Sequence, residues 1–174
     1  MDIEKLIESC GFDCVGSCAA QELVVRPEVR DMCASGRCQK YGHSWACPPA
    51  CGELEDFKKL ISSRTTCYVF QSVGKLKDDF DVEVMLGTEK LQKERLYVLA
   101  DKLVESGIDA DILSAGTCTI CKECTYPDAP CRFPEKRFVS MEAAGLVVTE
   151  ACESAGIPYN HGPLTIAYSS AVLV

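Results

Sequence analysis

The sequence predicts an α/β chain, a small mixed sheet covered by helices, with two cysteine-rich loops gathered at one end. Three observations carry that prediction. Runs of β-forming residues alternate with helix-periodic stretches from residue 66 onward, the pattern of one sheet under a helical cover. A chain of 174 residues with 47% hydrophobic and 25% charged side chains is long and apolar enough to bury a core without cross-links. Cysteine is concentrated in two glycine- and proline-bearing stretches that lack periodicity and so read as loops. No repeat, low-complexity tract or linker interrupts residues 1–174, which therefore read as one domain with cysteine-rich loops at 33–52 and 117–134.

Taken in order, Ile3 to Ser9 form a short amphipathic helix that ends at Gly11. The stretch "ELVVRPEVR" reads as a brief extended segment interrupted by Pro27. Gly36, Gly42, Pro48, Pro49 and Gly52 keep the first cysteine cluster irregular. Leu54, Phe57 and Ile61 then recur at helical spacing beyond Glu53. Residues 66–73, "TCYVFQSV", are a buried strand by composition. Between Thr88 and Ser106, Leu96, Leu99, Ala100 and Leu103 make a helical stripe, and Gly107 stands where a C-terminal cap belongs. "IDADILSAG" is a second strand, leading into the second cysteine cluster. Ser140 reads as the N-cap of a helix carrying Met141, Ala144, Val148 and Cys152 on one face, with Gly156 at its end. "LTIAYSSAVLV" is the closing strand.

Charge and composition exclude several functions. The net charge is −8, from 18 basic and 26 acidic residues, which argues against a nucleic-acid partner because phosphate neutralisation needs clustered Lys and Arg. The one basic run, "RFPEKR" from Arg132 to Arg137, reads as a solvated loop. The opening "MDIEKLIESC" is acidic and lacks the basic start and apolar stretch of a secretory leader. No apolar run reaches bilayer length, so no membrane partner is expected. The expectation is a cytoplasmic protein with reduced thiols. Its 13 cysteines, an odd number, cannot all pair within one chain.

Closely spaced thiols in a reducing compartment read first as metal ligands. Cys118, Cys121 and Cys124 form a C-x2-C-x2-C run, with Cys131 after six further residues. That triple spacing begins the bacterial ferredoxin pattern and suits one face of a [4Fe–4S] cube. Ferredoxins place the fourth cysteine after three residues with proline directly behind it, whereas here Pro134 follows Cys131 at a distance. Zinc is the alternative, since it also takes C-x2-C knuckles, usually as two separated pairs. The first cluster is Cys33-x4-Cys38-x8-Cys47-x3-Cys51, and Pro48 and Pro49 follow Cys47. Trp45 and Tyr41 either shield a cluster from water or pack as ordinary core. His43 ranks below the four cysteines as a ligand, and His161 in "YNHGP" reads as a turn residue. Cys10, Cys14, Cys18, Cys67 and Cys152 read as small buried hydrophobes. There is no G-x-S-x-G elbow, P-loop or G-x-G-x-x-G, so no catalytic residue is assigned.

The segments "VRDMC", "CQKYGHSWACPPACGELE" and "AGTCTICKECTYPDAPCRFPEKRFVSMEAAGLVV" together resemble the DUF2284 family of predicted metal-binding proteins. The likeness runs from about Val24 to the last strand. It implies that Cys33, Cys38 and Cys47 belong to one metal-binding motif, and Cys118, Cys121, Cys124 and Cys131 to another. It implies no substrate and says nothing of the N-terminal "CGFDCVGSC".

Three functions follow as expectations. The first is an iron–sulfur protein with one or two [4Fe–4S] clusters that passes electrons to a redox partner or serves an anaerobic enzyme, its acidic surface docking on a basic patch. The second is a zinc-stabilised binding module. The third is a cluster enzyme in which one iron keeps an open position for substrate.

Overall fold

The computed structural model describes residues 2–174. Strands β1 (Cys14–Ala19), β2 (Thr66–Lys75), β3 (Asp111–Ser114), β4 (Val139–Ser140) and β5 (Thr165–Leu173) form one sheet in the order β1-β2-β5-β3-β4. β2 runs antiparallel to β1 and β5, β3 runs antiparallel to β5, and β3 and β4 are parallel. The sheet is mixed, as its sequence predicts. Among the described residues five α-helices accompany it: α1 (Ile3–Glu8), α2 (Pro27–Ala34), α3 (Leu54–Ser63), α4 (Val82–Glu105) and α5 (Val148–Ser154).

Alternation along the strands divides the core into two. Phe70 and Val172 point to one face, where Ile7 of α1 and Leu96, Leu99 and Leu103 of α4 bury them completely or nearly so. Cys67, Val69, Ala171 and Leu173 point to the other, against Phe57 and Ile61 of α3 and Ala151 and Cys152 of α5. None of the buried residues of either cluster comes from the segments between residues 34 and 54 or between 114 and 139, from which only the partly buried Cys51 and Phe138 pack against them. The cysteine-rich loops hang on a sheet whose two faces are packed largely without them.

Four elements differ from expectation, each for a physical reason. β1 carries Cys14, Gly16, Ser17 and Cys18, which give it no β-branched run beyond Val15, yet it pairs with β2 along its full length. Pro27 does not interrupt an extended segment but opens α2, because the first helical position needs no N–H. α4 starts at Val82 rather than Thr88: Asp81 caps it by accepting from the Val84 N–H, and its first turns leave Val82 and Leu86 exposed, outside the apolar stripe. Ser140 does accept from the Ala143 N–H at 3.1 Å, but the turn it starts is closed by Gly145 at φ +84°, and the helix begins only at Val148. The chain is held there by an antiparallel bridge between Leu146 and Val25.

Two glycines test this packing in opposite directions. A Cβ at Gly145 would lie 2.8 Å from Leu54 Cδ2 and 2.9 Å from Val25 Cγ1, on a left-handed backbone. Gly145→Ala is expected to cost about 2 kcal/mol or more. At Gly87, inside α4, an added Cβ meets nothing within 4 Å, and Gly87→Ala is expected to gain about 0.5–1 kcal/mol. Urea unfolding of both variants checks the pair.

Candidate metal centre

The first cysteine set is only partly a loop. Cys33 sits in the last turn of α2, while Cys38, Cys47 and Cys51 lie in the turns that follow. Arg30, one helical turn before Cys33, pins this region: Nη1 donates to the Gly52 carbonyl at 2.9 Å and Nη2 to the Ala143 carbonyl. Its guanidinium also lies 5.8 Å from the centre of the Phe57 ring. Locally, the Cys47 N–H donates to the Ser44 carbonyl and the Cys51 N–H to the Cys47 carbonyl, each at 3.1 Å. Burial pushes up the Cys33 thiol, and the neighbouring Cys38 and Cys47 sulfurs and the Glu142 carboxylate add to it. Burial likewise raises Cys47 and Cys51, against hydrogen bonds from Thr117 and Ser44 in one case and the Arg30 charge in the other.

The second set follows β3. Gly116, at φ +59°, turns the chain out of the strand, and Cys118, Cys121, Cys124 and Cys131 then line one small cavity of about 20 Å³, with Trp45 and Arg137 among its walls. Burial raises the Cys118 thiol against the Ile120 N–H, with Cys131, Cys121 and Cys124 adding to the rise. Cys124 behaves differently. Burial lifts it, but N–H groups of Trp45, Tyr126 and Thr125 and the Ser44 side chain outweigh that, leaving its thiol below the ordinary range.

The two sets meet, although 70 positions separate the residues that join them: Cys47 Sγ and Thr117 Oγ1 share a hydrogen bond at 3.1 Å. Trp45 reaches across the same junction, donating from Nε1 to the Ala129 carbonyl at 3.0 Å and meeting the Tyr126 ring edge-on at 4.9 Å. Beneath it, Lys93 of α4 is 5% exposed, with Nζ donating to the Thr117 carbonyl at 2.8 Å and to Glu89 Oε1 at 2.6 Å. Sequence reasoning passes over Lys93. A lysine one residue after the buried Gln92, and three before Leu96 on the core stripe, is the signal that would have found it.

The remaining candidates are dispersed. His43 is exposed. His161 is more than a turn residue, since its Nε2 shares a 2.8 Å hydrogen bond with Gln71 Oε1 in the sheet. Cys18 and Cys67 face each other across β1 and β2 in the core, and Cys152 is fully buried. Arg132 is exposed, but Arg137 is half-buried.

All the cysteines are free thiols, and among the described residues no three His, Cys, Asp or Glu side chains converge closely enough to hold a metal ion. Each set is nonetheless accompanied by an arginine with an orphaned donor. Arg30 Nε, beside Cys33 and Cys51, and Arg137 Nε, in the wall of the second cavity, are buried without a hydrogen-bond partner. Buried guanidinium N–H groups without acceptors suit an environment that becomes anionic, as thiolates on a metal are. In donor chemistry both sets fit a thiolate-held group. Closing either one requires the sulfurs to draw together.

The model of the family described as "Predicted metal-binding protein (DUF2284)" matches residues 17–174. The chain belongs to that family. The match takes in both cysteine sets and Cys18, and leaves Cys10 and Cys14 outside. No curated protein and no solved structure matches the chain.

The junction yields a prediction. Lys93→Met removes a charged hydrogen bond worth about 1.5–3 kcal/mol, leaving the Thr117 carbonyl without its donor. Amide exchange over residues 118–124 is expected to accelerate about tenfold or more, while β2 and β5 keep their protection. Hydrogen-exchange mass spectrometry reads both.

Proposed function

We propose that this DUF2284 protein is an iron–sulfur protein that passes electrons to a partner or serves as accessory to an anaerobic enzyme. In this reading Cys118, Cys121, Cys124 and Cys131 hold one [4Fe–4S] cluster, and Cys33, Cys38, Cys47 and Cys51 are the thiols of a second. The observation that carries it is the orphaned N–H of Arg30 and of Arg137, one beside each set. Four thiolates around a cluster carry net negative charge, and a buried guanidinium N–H with no other acceptor offsets it. The C-x2-C-x2-C spacing supports iron over a single ion. When bound, such a cluster supplies one-electron transfer.

The chain's own residues have definite tasks. Lys93 and Thr117 fix the start of the second loop against Cys47, so that the two sets stay adjacent. Trp45 closes the junction to water, and the N–H groups aimed at Cys124 lower its thiol and so favour the deprotonated form that a metal requires. The other buried thiols give up protons as they bind, so loading releases protons and strengthens as pH rises. The acidic surface, at net charge −8, suits transient docking on a basic patch. Reduced thiols favour a cytoplasmic setting. No described helix is long and apolar enough to cross a membrane.

Zinc is the second reading. It is favoured by the tightness of the second cavity, about 20 Å³, which suits one ion better than a cube. An open iron position is the variant favoured by the first set. There Cys51 packs toward the core while Cys33, Cys38 and Cys47 line a wide cleft.

Anaerobic purification followed by iron, sulfide and zinc analysis tests the proposal. Brown protein with near-equal iron and sulfide is the expected result. Stoichiometric zinc establishes the second reading, and protein free of both metals overturns metal binding by these sets. Replacing Cys118, Cys121 or Cys124 by Ser is expected to abolish the metal, because oxygen is a poor substitute for thiolate. Cys67→Ser and Cys152→Ser are expected to keep it and to cost about 1–3 kcal/mol for burying a hydroxyl. Loss of metal in Cys152→Ser with retention in Cys121→Ser contradicts the ligand assignment. Stripping the metal is expected to loosen residues 33–51 and 117–134 while the sheet survives, as read by hydrogen exchange.

A further inference from the structure

The cleft beside the first cysteine set is larger than its thiols need. Its volume of about 840 Å³ lies in the range that encloses a drug-sized ligand. It opens past the carboxyl ends of the parallel pair β3 and β4, between Thr117 and Ser140 on the sheet side and α2 opposite. Open α/β sheets bind ligands at that end of their strands. Val29, Met32, Tyr41, Pro48 and Ala143 give the cleft apolar walls, and Cys33, Cys38 and Cys47 border the same space.

Three charged residues interrupt those walls, the exposed Asp31 and Arg37 and the half-buried Glu142, and only Glu142 has a buried atom without a partner. Glu142 lines the cleft, yet its Oε2 is buried with no hydrogen-bond partner, and its carboxylate joins no ion pair among the described residues. Its backbone is fixed. Ser140 Oγ accepts from the Ala143 N–H at 3.1 Å, the Gly145 N–H donates to the Glu142 carbonyl at 2.9 Å, and the Leu146 N–H to the Met141 carbonyl at 2.9 Å. The nearest cation on α2, Arg30, spends its terminal nitrogens on the carbonyls of Gly52 and Ala143. A buried carboxylate oxygen without a donor is costly, and the fixed turn keeps the residue that carries it on the cleft wall. The donor it lacks can come from a ligand.

We propose that this cleft binds a small organic amine, its apolar body against Val29, Met32 and Tyr41 and its protonated nitrogen donating to Glu142. An ammonium satisfies the carboxylate by a charge-assisted bond, and a neutral hydroxyl does so by a weaker one. Of the charged residues lining the cleft, Glu142 and Asp31 disfavour an anionic head, and the one cation, Arg37, is exposed to solvent, which screens it. The bound molecule lies against the sulfurs of Cys33, Cys38 and Cys47. The inference rests on the cleft's own residues and not on what metal those sulfurs hold.

Ligand-observed NMR on the protein as purified, with three probes that share one phenethyl body, tests it: phenethylamine, phenethyl alcohol and 3-phenylpropionate. Phenethylamine is expected to bind about tenfold more tightly than the alcohol, and the propionate least. Glu142→Gln is expected to erase the preference for the amine while the alcohol still binds. Met32→Trp, at a position 62% exposed where a bulky side chain does not disturb the core, is expected to weaken all three. No probe binding, a preference for the propionate, or an amine preference that survives Glu142→Gln overturns the proposal. Metal content measured on the same samples separates the two readings. Amine selectivity in metal-free protein leaves this site standing and the metal proposal refuted, and metal-loaded protein without amine selectivity does the reverse.

Discussion

Thr117 is the point on which the arrangement of the two cysteine loops depends. Its hydroxyl bonds to Cys47 of the first loop, its carbonyl takes the buried ammonium of Lys93, and its peptide leads directly into Cys118 of the second. Without that fixed point the second loop is a long excursion between β3 and β4, with a single 3₁₀ turn at Pro134–Lys136 as regular structure. Burying Lys93 is tolerable because Glu89 and the Thr117 carbonyl both accept from it, so the ammonium keeps partners when it leaves water. The helix that fills one face of the core thus also positions the loop outside it. Trp45 and Tyr126 complete the contact from the solvent side.

How the protein divides structure from chemistry follows from this. Two apolar clusters, one on each face of the sheet, bury Phe70, Leu96, Leu99, Leu173 and Met141 completely. The sheet therefore has a core that lies almost wholly outside the loops. The loops satisfy themselves with local turns such as Gly42 N–H to the Pro48 carbonyl at 2.9 Å and Ala129 N–H to the Thr125 carbonyl at 3.0 Å. Their thiols are gathered and mostly half-buried, and burial favours the protonated form of Cys33, Cys47, Cys51 and Cys118. Protonated thiols do not repel one another, so they share a neighbourhood without converging to ligand distance. A metal changes both conditions at once, because it removes the protons and attracts the sulfurs.

Much of this was legible in the residues, and what was not has local causes. The strands at 66–73 and 164–174 announce themselves by β-branched and aromatic residues, and α3 by the spacing of Leu54, Phe57 and Ile61. β1 was hidden because its inward positions are Cys14, Gly16 and Cys18. At Gly16 a Cβ would strike the Ala155 carbonyl of the passing chain at 2.2 Å, so close packing removed the side chain that would have signalled a strand. α2 was hidden by reading Pro27 as a break instead of a start. The spacing of the cysteines and the family likeness pointed to the two sets, and the structure gathers each set without bringing its sulfurs to ligand distance. What spacing does not carry is the third dimension of the region. Arg30, Arg137, Lys93 and Glu142 belong to no motif, and their significance lies in which buried atoms do or do not find partners.

The central claim is that the two cysteine sets hold iron–sulfur clusters as neighbours across the Cys47–Thr117 contact. Electron paramagnetic resonance of the anaerobically purified, dithionite-reduced protein tests it most directly. The account predicts a signal broadened by coupling between two reduced clusters, which sharpens to that of one isolated cluster in Cys121→Ser. A reduced protein with no iron–sulfur signal, or with two uncoupled signals, contradicts it.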